Sequence, residues 1–160
     1  MRGTKGTPYQ GGTRVPAFFR WPEKFVGGRD VSALTAHVDI FRTLAEAAGV
    51  TLDAEISKQV EGRSLMPLLT KDKAEWPDRT FVTHVGRWAR GKAAEAKFSN
   101  CSIRDARFTL VDNKELYDLT ADPGEKTNVI DQHPEAAAKL RAAYDQWWSD
   151  VQPLLVNENA

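Results

Sequence analysis

The chain has 160 residues and carries 22 Lys and Arg against 22 Asp and Glu, a formal net charge of zero. With 41% hydrophobic and 28% charged residues it fits a folded chain of ordinary domain size rather than a disordered one. The neutral, interleaved charge argues against a nucleic-acid partner, no apolar run approaches the roughly 20 residues of a membrane helix, the polar start does not read as a signal peptide, and the single Cys101 excludes an internal disulfide.

The first 16 residues are dense in Gly and Pro, a pattern too irregular for a helix. Val15 to Trp21 is an apolar run stopped by Pro22 and reads as a buried strand. From Asp39 the spacing turns helical, with Ile40, Phe41, Leu44, Ala45 and Ala48 on one stripe, Asp39 or Thr35 as cap and Gly49 as stop. A polar loop follows, then a turn or two of helix at Ser64 to Leu69. Thr80 to Val85 reads as a strand, and Arg87 to Lys97 as an exposed loop. Asn100 to Arg104 and Arg107 to Val111 form a hairpin, and Glu115 to Leu119 a fourth strand after the Asp112–Lys114 turn. Pro134 opens the clearest helix, whose stripe is Ala137, Leu140, Tyr144, Trp147 and Val151, with Trp148 on the neighbouring face. The second half therefore reads as a small antiparallel sheet with one long helix laid across it.

Chemistry is sparse. His37, His84 and His133 are far apart in sequence and show no metal-ligand spacing, so each reads first as structural. Cys101, inside a strand with no base beside it, reads as a buried small residue rather than a nucleophile. The Asp122-Pro123-Gly124-Glu125 cluster has turn chemistry, with its carboxylates in solvent. The Trp residues at 21 and 147 read as core. Lys5-Gly6-Thr7-Pro8-Tyr9-Gln10-Gly11-Gly12-Thr13-Arg14 stands apart: two cations and flexible backbone N–H groups suit a tetrahedral anion, and a structural turn-rich loop fits it equally. It is not a Walker A loop, because no G-K-[ST] ending precedes a helix.

Four stretches, in order, resemble the type I sulfatases of the alkaline-phosphatase-like superfamily. KGTPYQGGTRVP is similar to K-G-x-x-[YW]-E-G-G-x-R-V-P; VDIFRTLAEAAGV and EGRSLMPLL are similar to the family's later helix and its successor. SIRDARFTLVDNKELYDLTADPGEKTNV resembles its V-R-x-x-R-[YF]-K-L hairpin and E-L-Y-D-L-x-x-D-P-x-E-x-x-N tail. Three positions depart: Gln10 stands for Glu, removing a negative charge near Lys5; Arg42 stands for Pro; Thr109 stands for Lys.

The resemblance implies an α/β (α+β) chain: residues 1–70 as the tail of the sulfatase catalytic domain, and 79–152 as its C-terminal subdomain of four antiparallel strands packed against a long helix. It implies sulfate-ester hydrolysis by the intact enzyme, on aryl or carbohydrate sulfates, with a formylglycine nucleophile and a bound calcium or magnesium ion. No C-x-P-S-R nucleophile motif and no cation-binding segments occur here, so this chain alone is expected to be inactive and to hold no cofactor or metal. The one active-site member that maps is Lys5, matching the Lys that contacts sulfate oxygens. A sulfate-ester substrate is expected only with the missing part, self-association through uncovered strands is expected, and family members are often periplasmic or extracellular. Two alternatives remain: a non-catalytic binding or oligomerisation module, and part of a related phosphonate or phosphate ester hydrolase.

Overall fold

A computed structural model describes Met1–Leu155. Its contacts divide into two compact units: Met1–Val15 together with the chain from Arg79 onward, and Pro16–Asp78.

The first unit is built on four short strands, β1 (Phe81–His84), β2 (Cys101–Arg104), β3 (Phe108–Val111) and β4 (Glu115–Asp118), in a sheet of order β1-β2-β3-β4 with every pair antiparallel. Short connections explain the order, since tight turns close small loops at little entropic cost. Asp105 builds the β2–β3 turn by accepting from the N–H groups of Arg107 and Phe108, at 2.9 and 2.7 Å. The β3–β4 turn places both Asp112 and Asn113 at positive φ, a conformation that Asn and Asp tolerate best among non-Gly residues.

Side chains alternate across a strand, so the sheet has two faces. The register aligns Val82, Ile103, Leu110 and Leu116 in one row. Helix α5 (Pro134–Val151) covers that row with Ala137, Leu140, Tyr144 and Trp148, all buried. Pro134 sits in its first turn, as expected from its missing N–H. The expected stripe is corrected at its end: Trp148 is 4% exposed, while Trp147 is only partly buried. At about 100° per residue the two indoles flank the stripe by similar angles, so periodicity cannot choose between them. His84 of β1 stacks on both indoles, on Trp148 at 5.3 Å and on Trp147 at 6.3 Å, and Trp88 after β1 meets Trp148 edge-on at 6.3 Å.

The opposite face carries Ser102, Arg104, Thr109, Val111, Glu115 and Tyr117, and residues of the Met1–Val15 segment bond to it. That segment contains a one-turn helix, α1 (Gln10–Thr13), where the sequence reading allowed none. The loop expected at Arg87 to Lys97 contains a 3-10 turn at Ala93–Ala96, and Ala93 in it is buried.

The second unit holds three helices, α2 (Asp39–Ala47), α3 (Ala54–Gln59) and α4 (Met66–Thr70). Gly49, at φ +71°, ends α2 as expected, with its N–H donating to Glu46. The cap differs from the expected one: Val38 is the N-cap, and the Asp39 carboxylate instead accepts from Ala36 N–H and Arg63 N–H, both at 2.8 Å. The segment expected as a polar loop contains α3, capped by Asp53, which accepts from Ile56 N–H. Arg42, standing for a family Pro, reaches the far end of α3 and donates to the carbonyls of Ser57 and Val60.

The strand expected at Val15 to Trp21 does not form. Val15 is 78% and Phe18 93% exposed, and the run contains Pro16 and is followed by Pro22, neither of which offers a backbone donor for a ladder. Trp21 packs locally, edge-on to Phe25 at 5.7 Å, rather than in a core.

Candidate functional site

Lys5 is exposed on a loop that closes on itself. Thr7 N–H donates to Thr4 O at 3.0 Å, Gly11 N–H to Arg2 O at 2.7 Å, and Gly12 N–H to Tyr9 O at 2.8 Å. The paired glycines have a steric reason. A Cβ on Gly11 would stand 2.2 Å from Gly3 O, and one on Gly12 would stand 2.1 Å from Thr7 O, so a side chain at either would push α1 off the loop. Gly6, beside Lys5, has φ +85° and open space around it, so conformation rather than crowding favours glycine there.

This closure takes up part of the loop's set of backbone donors. The N–H groups of Thr4, Thr7, Gln10, Gly11, Gly12, Thr13 and Arg14 are all bonded within the protein. What the loop presents at its tip is the Lys5 side chain.

Four side chains, Arg2 and Tyr9 from the segment and Glu115 and Tyr117 from β4, pin the loop to the sheet. Arg2 donates to Tyr117 Oη and to Tyr9 Oη, the latter at 3.0 Å. Tyr9 Oη and Tyr117 Oη both donate to Glu115 Oε2, at 2.8 and 2.6 Å, and Arg2 lies 3.5 Å from the same oxygen. One carboxylate oxygen thus joins two residues flanking the Lys5 loop to β4. Burial opposes ionisation of Glu115, but the two phenol hydrogen bonds and the Arg2 charge outweigh it and hold its carboxyl below the usual range.

The second attachment is Glu125, which corrects the solvated-turn reading. Asp122 does serve the turn, accepting from Lys126 and Thr127 N–H. Glu125 instead is 1% exposed, at φ +53°, and its Oε2 accepts from Gln10 N–H at 2.8 Å. Gln10, itself 5% exposed, adds a 3.3 Å bond from its amide to Pro123 O. Burial raises the Glu125 carboxyl, while the Gln10 bond and the charges of Arg2 and Arg104 oppose that shift.

The remaining candidates have structural roles. Cys101 is 2% exposed in β2, and burial pushes its thiol up to about 11, so it is a poor nucleophile. His84 Nε2 faces Ala96 O at 3.2 Å and its Nδ1 accepts from Gly86 N–H; burial lowers its pKa and favours the neutral ring. His133 packs on Phe108, and His37 is exposed ahead of α2. Among the described residues no group of three or more His, Cys, Asp or Glu is placed to hold a metal ion. Neither a formylglycine nucleophile nor its cation fits the described residues: the one cysteine is sealed in a strand, and the carboxylates that bond the Lys5 loop, Glu115 and Glu125, are engaged by Tyr, Arg and backbone partners.

Sequence reasoning identified Lys5 and missed its supports, Arg2, Tyr9, Glu115, Tyr117 and Glu125. All but Arg2 lie inside the family-like stretches, so the signal was present in two motifs whose bonded residues are more than a hundred positions apart.

Comparison with known proteins agrees with those motifs. Residues 4–147 match the family described as N-sulphoglucosamine sulphohydrolase, C-terminal. Mouse steryl-sulfatase is 34% identical over 91% of this chain and 26% of its own. The N-acetylgalactosamine-6-O-sulfatase of Bacteroides thetaiotaomicron is 31% identical over 87% and 28%, and arylsulfatase K of Xenopus laevis 28% identical over 88% and 28%. The chain therefore spans little more than a quarter of each of these relatives. The fold matches a solved complex with D-glucosamine-2-N,6-O-disulfate as substrate, with TM-score 0.59 and 21% identity over 87% of this chain and 28% of that one.

Proposed function

This chain belongs to the sulfatase family, matching its C-terminal part, and on that premise we propose that it serves sulfate-ester hydrolysis by presenting Lys5 to the sulfate group. The observation that carries this reading is the loop itself: a motif-matched, exposed lysine on a loop whose N–H groups at Thr4, Thr7 and Gln10 to Arg14 are spent on closing it. A fixed ammonium would stabilise the anionic ester and the charge that grows on the leaving oxygen. The nucleophile and the calcium or magnesium ion expected of the intact family enzyme belong to the part of a sulfatase that this chain does not match. No step through them is assigned to residues here.

The test has two arms. Assayed with a chromogenic aryl sulfate and calcium, the 160-residue chain should show no turnover. Joined in place of the matching C-terminal part of the Bacteroides relative, it should support turnover, and Lys5→Ala should then lower kcat by about 10²-fold or more, the scale of losing one transition-state charge partner. Turnover by the chain alone at a rate typical of the family would contradict the proposal. So would a folded, active chimera that is indifferent to Lys5→Ala.

A further inference from the structure

We infer that Glu115, Tyr117 and Glu125 are positioning residues for Lys5, so that β4 and the turn after it fix where the loop holds its ammonium group. The inference rests on the sulfate-contact reading of Lys5 and adds to it the residues that would make that contact geometric rather than incidental.

Three observations carry it. First, the attachments flank Lys5 on both sides in sequence: Arg2 and Tyr9 meet the Glu115 carboxylate and the Tyr117 phenol, while Gln10 meets Glu125. A loop tethered at both ends has far fewer accessible arrangements than one tethered at a single end.

Second, the backbone conformation and burial of Glu125 are both unfavourable. It has a positive φ, its carboxylate is buried, and its Oε1 has no hydrogen-bond partner among the described residues. Residues held in this way persist only where the surroundings over-determine them, and they cluster at functional positions. Here the compensating contact is the N–H of Gln10, five residues beyond Lys5.

Third, polar contacts carry much of the attachment. Residues 1–6 are exposed, and besides the buried Pro8 it is the bonds to β4 and to the turn, with the Tyr9–Tyr117 ring contact at 6.4 Å, that hold the loop. Gln10 also acquires a role: at the family's Glu position it lies beside Glu125, where a second carboxylate would add like-charge repulsion unless a cation offset it.

The experiment uses the full 160-residue chain and its Tyr117→Phe, Glu115→Gln, Glu125→Ala and Glu125→Gln variants. Amide hydrogen exchange is followed at residues 4–13, with β2 and β3 amides as an internal control. In parallel the Lys5 resonances are titrated with inorganic sulfate against chloride at matched ionic strength. Losing a bond to an ionised group should speed exchange at 4–13 about tenfold or more and weaken the sulfate response of Lys5 comparably, with β2 and β3 little changed. Glu125→Gln, which keeps an oxygen for Gln10 N–H, should restore the protection that Glu125→Ala removes.

Unchanged exchange at 4–13 in Tyr117→Phe and Glu115→Gln would overturn the inference. So would faster exchange with an undiminished sulfate response, since the network would then be merely structural. A parent chain whose Lys5 ignores sulfate would overturn the underlying contact reading, an outcome told apart by its independence of the variants.

Discussion

Helices α2 and α5 both read in the sequence as amphipathic, yet they use their apolar faces in opposite ways. α5 turns Leu140 and Tyr144 inward until neither has any exposed surface. α2 buries Asp39 at 0% and Thr43 at 2% exposure, and leaves Phe41 and Leu44 more than half in solvent. The buried side of α2 is polar and bonded: Thr43 Oγ1 donates to Asp39 O and accepts from Leu65 N–H, at 2.7 and 2.9 Å. Periodicity reports that a face exists, not what covers it. For α5 the cover is the antiparallel sheet that precedes it in the chain. For α2 nothing comparable lies within its own unit, and the chain spans little more than a quarter of its relatives.

The largest effect expected from this contrast is in the α5 core. Trp148→Ala should cost about 3–5 kcal/mol and Leu140→Ala about 2–5, by lost burial plus the cavity left behind. Trp147→Ala should cost clearly less than Trp148→Ala, and Leu44→Ala on α2 should stay within about 0.5 kcal/mol. Denaturant unfolding of the four variants checks the order; a loss at Leu44 equal to that at Leu140 would break the comparison.

A second effect concerns association. Phe18, Phe41 and Leu44 present apolar surface without cover, and such surface favours contacts between copies. Light scattering at rising concentration should show self-association, reduced by Phe18→Ser combined with Leu44→Gln. A monomer at high concentration would show that the exposed residues are too scattered to act as a patch.

The smallest effect is on pH. Glu115 and Asp118 both have carboxyls held below their usual range in the folded chain, Asp118 chiefly through its hydrogen bond from Arg107. A depressed folded pKa means stability present above the ordinary carboxylate value and lost as pH falls through the folded one. Stability should therefore fall below about pH 4, and Tyr117→Phe should flatten that dependence by raising the Glu115 carboxyl. Glu125 acts in the opposite sense: with its carboxyl raised, its contribution is full below the ordinary glutamate value and is lost as pH rises through the folded one. Denaturation midpoints across pH 3 to 8 for the parent, Tyr117→Phe and Glu125→Gln separate the two signs.

Much of the sheet unit was legible because its signals are local. Asp105-Ala106, Asp112-Asn113-Lys114 and Pro134 mark turns and a helix start by their own chemistry, and the strands between them formed where expected. The apolar run at Val15 to Trp21 misled because strand formation needs a partner, and none pairs with it here. Trp147 and Trp148 could not be separated because they flank the stripe by similar angles, and contacts from His84 and Trp88, distant in sequence, surround them unequally. At the site, Lys5 was visible through its motif. Its supports were not, since no periodicity connects Arg2 and Tyr9 with Glu115 and Tyr117, or Gln10 with Glu125.

The most direct measurement of the central claim, that the Lys5 loop belongs mechanically to the sheet, is site-resolved amide exchange across the unmodified chain. The amides of β2, β3 and α5 should be the slowest, and Gln10 and Gly11 should exchange in step with them as denaturant is added, while α2 amides exchange faster by about a hundredfold or more. Gln10 and Gly11 exchanging with α2 instead, independently of the sheet, would contradict it.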